Sequence, residues 1–232
     1  MSAAADFNVL GLIQQNSKLN DLTIDLPTNI TAYSGIDAMV HAIEAYTSIN
    51  PNNNPISKML SIEALKFLGS SIKTAVFEGH NINARSNMLF GSMLAGKAFA
   101  NSPVAAVHAL AYPIGGLFNI SHGLSNSLVL PSVMKFNSIN KETKKNYANL
   151  APYVFKDLDN SKSDEIVCNN FIDSLESLSK ELKLPYRLRD LEIPEEACQL
   201  MASEAMKQTR LLVNNPRKIE ESDAFNIYKS VW

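Results

Sequence analysis

Asp37 and His41 stand four positions apart in GIDAMVHAIEAY at 35–46, where apolar residues recur at helical spacing. Residues four apart share one face of a helix, so the carboxylate and the imidazole can converge on one atom. That geometry suits a divalent metal, and it is equally typical of a structural ion pair or a carboxylate near a helix N-terminus. The spacing alone favours the structural interpretation. Glu44, on the same face, is expected either to be solvated or to support a ligand residue.

His108 and His122 lie among small and apolar residues in VAAVHALAYP and NISHGLSN. Burying an imidazole without a partner is costly, so each ring is expected to make an ordinary core contact or to bind a ligand. Pro113 and Gly115–Gly116 lie between them and predict a break where two helices meet. If the break returns both rings to the first helix, the four groups could hold a first-row divalent metal with open positions for substrate.

The elements that must position these residues are predicted to be helices almost throughout. Gly69 is predicted to end the second helix, and Pro131 to kink a later one. DLTIDL at 21–26 alternates polar and apolar residues and predicts one short strand. Apolar residues recur at helical spacing in 35–46, 57–69, 84–100, 104–112, 122–136, 165–183, 194–213 and 220–231.

The composition indicates a folded cytoplasmic protein whose ligand is a small molecule or another protein. Of the 232 residues 46% are hydrophobic and 19% charged, and the formal net charge of -2 gives no reason to expect nucleic acid or a membrane as partner. The N-terminus carries no basic residues before its short apolar run, so no secretory leader is expected. Cys168 and Cys198 stand alone and are expected to be reduced, partly buried thiols.

Nucleotide-binding motifs are weak in this chain. GSMLAGKA at 91–98 matches the GxxxxGK of a phosphate loop, but Ala98 stands where Ser or Thr is needed and no strand precedes it. Close helix packing explains these glycines better. No GxGxxG follows a predicted strand, and no pair of ExxH motifs indicates a di-iron bundle.

Three longer segments resemble one known family, the iron-containing alcohol dehydrogenases, which are related to glycerol dehydrogenase and dehydroquinate synthase. They are GIDAMVHAIEAYTS at 35–48, MLAGKAFANSPVAAVHALAYPIGGLFNISHGLSNSLVLP at 93–131 and NNPRKIEESDAFNIYKSVW at 214–232. The resemblance implies an all-α, dehydroquinate synthase-like helical domain over 21–232 and a non-matching segment at 1–20. Within the domain, the polar stretch near 156–165 predicts a loop between two helical groups. It also implies the metal ligands, which are Asp37, His41, His108 and His122.

Two departures from the family pattern bear on activity. Where members commonly have a second histidine four residues after His108, this chain has Tyr112, which could donate a hydrogen bond at the active site or serve packing only. The family's N-terminal nucleotide-binding domain, with its GGGS-type motif, is not recognised in these residues. NAD(P) is therefore expected to bind only together with that missing domain.

The resemblance implies the metal-binding half of an enzyme that oxidises an alcohol or reduces an aldehyde with NAD(P). Fe²⁺ is the expected metal, and Zn²⁺ also suits these ligands. The isolated chain is expected to be weakly active or inactive, as a shortened version, a natural truncation or one half of a split enzyme. The alternative is a non-catalytic metal-binding or interaction protein derived from the family. Expected partners are a small alcohol or aldehyde, a separate nucleotide-binding domain and further copies of the chain, because an apolar surface left uncovered favours association.

Overall fold

The computed structural model describes residues 21–232, and this part of the chain is helical without strands. A 3-10 helix lies at Leu188–Leu191, and within 21–232 no helix combines the length and the apolar composition that a membrane span requires. The helices are α1 (Asp21–Ile24), α2 (Thr28–Thr47), α3 (Pro55–Phe77), α4 (Ile82–Asn101), α5 (Ala106–Phe118), α6 (His122–Asn137), α7 (Lys141–Val154), α8 (Asp164–Glu181), α9 (Ala197–Met206), α10 (Thr209–Leu212) and α11 (Glu221–Ser230).

Helix α2 lies in the middle of the fold. It packs against α3, α4, α6 and α7, and its residues Ile36, Met39, Val40 and Ile43 are each at most 1% exposed. A helix buried on most of its surface has no solvated face for polar side chains. Each polar group in the buried part of α2, residues 35–47, therefore needs a partner inside the protein.

The short strand predicted at 21–26 is wrong. Asp21–Ile24 form one helical turn instead, and the N–H of Leu26 donates to the carbonyl oxygen of Thr23 at 3.2 Å. A strand must find backbone partners on a neighbouring strand, and the elements beside this segment are helices. A single helical turn satisfies the same groups locally, and six alternating residues were too few to distinguish the two.

Several predicted helix ends also differ from the structure. Helix α3 continues through Gly69, where a Cβ would lie 2.6 Å from the carbonyl oxygen of Val154. This glycine therefore permits α3 and α7 to pack closely and does not end a helix. Helix α5 likewise continues through Pro113 and Gly115–Gly116 to Phe118, and the chain turns at Asn119, whose φ is 55°. The helix predicted at 194–213 is divided between α9 and α10.

Helix α7 was missed from the sequence, because its KETKKNYANLAPYV is polar at the start and carries Pro152 near its end. Its apolar residues nevertheless form one buried face made of Tyr147, Leu150, Ala151 and Val154. The GSMLAGKA segment lies wholly within α4. A Cβ at Gly91 would lie 2.7 Å from Leu68 Cγ, so helix packing does explain this glycine.

Candidate metal centre

Helices α2, α5 and α6 bring the four predicted ligands together. Asp37 and His41 face the site from α2, while His108 lies in the first turn of α5 and His122 opens α6. Asp37 is central: its Oδ2 lies 3.8 Å from His41 Nδ1, and its Oδ1 lies 3.8 Å from His108 Nε2 and 3.6 Å from His122 Nε2.

The spacing of these groups matches one metal ion. One ligand atom from each of Asp37, His41 and His108 lies within 4.8 Å of the other two. Atoms that each bind a metal at about 2 Å are themselves separated by distances of this order. His122 lies beside these three residues, with its Nε2 3.6 Å from Asp37 Oδ1.

The aromatic neighbours of the site hold the imidazoles in a row. His41 stacks on Phe99 and faces His108, with 4.6 Å between ring centroids in each case. The next distance, from the His108 ring to the His122 ring, is 5.3 Å. The site is closed at one end of this row, where the side chains of His41 and His108 are 10% and 3% exposed, and open at His122, which is 37% exposed.

The protonation states of the site suit a cation. Burial lowers the pKa of His41 to about 4, although the nearby Asp37 charge acts in the opposite direction. Burial likewise lowers the pKa of His122. For Asp37, burial raises the pKa but the three histidines and Asn126 outweigh it, so the pKa lies below its ordinary value. At neutral pH the site therefore presents a carboxylate and neutral imidazoles at these positions, which are the forms that bind metals.

Glu44 is buried and lies behind the site, so the expectation of a solvated side chain is wrong and the supporting position is observed. Its Oε1 accepts the N–H of Val107 at 2.6 Å, and its Oε2 accepts the N–H of Ala105 at 3.0 Å. The same Oε2 lies 2.6 Å from His108 Nδ1. The opposite nitrogen of that ring, Nε2, is buried and has no hydrogen-bond partner. A buried nitrogen left without a partner is destabilising, and a metal ion beside Asp37 would supply one.

Asn126 belongs to the site and was missed from the sequence. It is fully buried on α6, one turn after His122, and its Nδ2 donates to Asp37 Oδ1 at 2.5 Å. The same nitrogen lies 3.2 Å from His122 Nε2. The four-residue spacing in HGLSN, equal to that of Asp37 and His41, was the signal that could have found it.

Tyr112 lies at the open side of the site. Its ring stacks on His122 with 5.7 Å between centroids, and it is 38% exposed. Its side chain can therefore contact both His122 and a molecule that enters the site from solvent. The fourth histidine, His80, is exposed in the turn between α3 and α4 and takes no part.

Comparison with known proteins places most of the chain in one family. Residues 31–232 match the family described as "Fe-containing alcohol dehydrogenase family, C-terminal". Long-chain-alcohol dehydrogenase 1 of Geobacillus thermodenitrificans is 38% identical over 214 residues, which cover 91% of this chain and 52% of that protein. NAD-dependent methanol dehydrogenase of Bacillus methanolicus is 29% identical over 210 residues, which cover 90% of this chain and 54% of that protein.

The solved structures agree in fold. Alcohol dehydrogenase from Oenococcus oeni superposes with a TM-score of 0.86 at 33% identity, over 92% of this chain and 54% of that one. The chain spans about half the length of the curated relatives it matches.

Proposed function

We propose, because this chain belongs to the Fe-containing alcohol dehydrogenase family, that it supplies the metal-binding half of an enzyme that interconverts an alcohol and an aldehyde with NAD(P). The observation that carries the proposal is the unpartnered Nε2 of His108, buried beside Asp37. A site meant only as a structural ion pair would satisfy that nitrogen within the protein.

Asp37, His41, His108 and His122 would hold the ion, which we propose to be Fe²⁺. A divalent cation bound there would act as a Lewis acid toward an alcohol or carbonyl oxygen. The protein contributes the rest of the environment. The carboxylate of Asp37 offsets part of the cation's charge, and the neutral rings of His41 and His122 offer lone pairs without competing protons. Phe99 stacks on His41 and covers one face of that ring at the closed end of the site.

A substrate would enter at the open side, between His122 and Tyr112. The half-exposed Tyr112 is the residue of this chain that we propose to contact the reacting molecule there, as a hydrogen-bond donor. The relative from Bacillus methanolicus is called NAD-dependent, and we propose NAD(P) as the hydride carrier of the complete enzyme. A nucleotide-binding domain that accompanies residues 21–232 would provide most contacts to that cofactor.

The test is metal stoichiometry on protein purified without oxygen and loaded with Fe²⁺. We expect about one tightly held ion per chain, lost in His108→Ala because the buried ligand is removed. His80→Ala is the matched control, since His80 is exposed outside the site, and it should keep the ion. If none of the three proteins held metal, the proposal would fail. Rapid alcohol-dependent reduction of NAD⁺ by the isolated chain would contradict the need for a further nucleotide-binding domain.

A further inference from the structure

We propose that Glu44 is a positioning residue that fixes the His108 ring in the tautomer required for metal binding. The inference rests on the proposed function and concerns a residue outside the predicted ligand set. Glu44 lies on α2, between the site and the start of α5, and its side chain is 5% exposed. It touches the proposed metal site only through His108.

Both oxygens of the Glu44 side chain are placed as hydrogen-bond acceptors. Both of its oxygens accept backbone N–H groups, from Val107 and Ala105, at the N-terminus of α5. That helix has no capping side chain of its own, so Glu44 caps it from another helix. A side chain that caps a helix N-terminus does so by accepting the free N–H groups there.

The tautomer of His108 follows from this acceptor role. Since Glu44 Oε2 already accepts the N–H of Ala105, we infer that it is also the acceptor in its 2.6 Å contact with His108 Nδ1, so the ring hydrogen is on Nδ1. Nε2 then carries the lone pair, and Nε2 is the atom that is buried without a partner 3.8 Å from Asp37. Glu44, His108 and a metal would thus stand in the carboxylate–imidazole–metal order that orients histidine ligands.

Capping alone would be a purely structural role. The variant Glu44→Gln distinguishes capping of α5 from positioning of the His108 ring. The amide keeps the size of the side chain and one acceptor oxygen, which can still serve Val107. We expect the oxygen to stay on Val107, because an NH₂ group there would lie 2.6 Å from a backbone N–H, closer than the 3.0 Å at Ala105. The NH₂ group then faces His108 Nδ1 and donates to it. This places the hydrogen of His108 on Nε2, where it points toward Asp37 and removes the lone pair from the site.

Ser102→Ala is the matched control. The hydroxyl of Ser102 donates to the carbonyl oxygen of Ala45, the residue after Glu44, at 2.6 Å, and Ser102 is fully buried at the same junction of helices. Its loss weakens that junction without touching His108. We therefore expect Ser102→Ala to lower stability while leaving both the tautomer and the Fe²⁺ affinity of the wild type.

The experiment records the nitrogen chemical shifts of the histidine rings in metal-free protein, with the His108 signals assigned by their loss in His108→Ala, and then measures Fe²⁺ affinity without oxygen. The wild type should show hydrogen on Nδ1 of His108, and Glu44→Gln should show it on Nε2 and bind Fe²⁺ about 10- to 100-fold more weakly. An unchanged tautomer and affinity in folded Glu44→Gln would overturn the inference.

The two proposals fail in different ways. If the wild type bound no Fe²⁺, the proposed function would fail, and the tautomer of the metal-free protein would still test the role of Glu44. If Glu44→Gln did not fold, the wild-type spectrum alone would decide, because hydrogen on Nε2 of His108 contradicts the positioning role.

Discussion

Gly123→Ala should displace the proposed metal ligand His122 without replacing any of the four proposed ligand residues. Gly123 follows His122 at the start of α6, where α6 meets the backbone of α2. A Cβ there would overlap the carbonyl oxygen of Tyr33 and lie 2.6 Å from its carbonyl carbon, whereas ordinary contact begins at 3.4 Å. Because these are backbone atoms, no side-chain rotation relieves the overlap, and α6 must retreat by about 1 Å.

The displacement predicts two measurable losses. Overpacking of this kind costs about 1–3 kcal/mol of unfolding free energy, measured by urea denaturation. Metal sites tolerate ligand displacements of only about 0.2 Å, so Fe²⁺ affinity should fall as His122 moves with the helix. Gly116→Ala is the control: a Cβ there meets nothing within 4 Å, and it should raise stability by about 0.5 kcal/mol. Wild-type stability and affinity in Gly123→Ala would refute the reasoning.

Two further predictions concern pH and Tyr112. Burial raises the pKa of Cys168 to about 11 and raises those of Tyr147 and Tyr228. Because the unfolded chain loses these protons at lower pH than the folded chain, their contribution to stability should be complete below pH 9 and fall as the pH rises toward 11. For Cys168 the loss should be about 1.4 kcal/mol per unit of pKa shift. In urea denaturation, Cys168→Ala should therefore show a shallower fall of stability with pH than the wild type. Tyr112→Phe should keep the wild-type Fe²⁺ affinity because the ring still stacks on His122. Tyr112→Ala should weaken the binding free energy of Fe²⁺ by about 0.5–1.5 kcal/mol. Equal affinities in the wild type and both variants would show that the stack does not position His122.

The helical class was predictable because it depends on local periodicity, which α2, α3 and α4 display clearly. Positions such as Gly69 were misread, since a glycine that ends a helix and one that permits a close approach look alike in sequence. The difference is the carbonyl oxygen of Val154, a contact between residues 85 positions apart. Helix ends set by such tertiary contacts cannot be obtained from local patterns.

In the candidate site, too, local spacing was predictable and tertiary contacts were not. The spacing of Asp37 and His41 showed that they share a face, but the return of His108 and His122 to that face depends on how α5 and α6 pack. The sequence placed the break between these helices at Pro113 and Gly115–Gly116, and the structure places it at Asn119. The roles of Glu44 and Asn126 became visible only through their partners, because neither residue type is diagnostic without its hydrogen bonds.

The proposed ligands come from three helices that are far apart in the chain, with His41 and His108 67 residues apart. An ion held between them would act as a cross-link that closes a long loop, much as a disulfide does, and would favour the folded chain by mass action. The folding free energy of this protein would then depend on the iron supply of the cell. Selection for folding alone would then be enough to keep the four proposed ligands. Bound iron would therefore be evidence that the chain is folded, and would not by itself be evidence that it is an active enzyme.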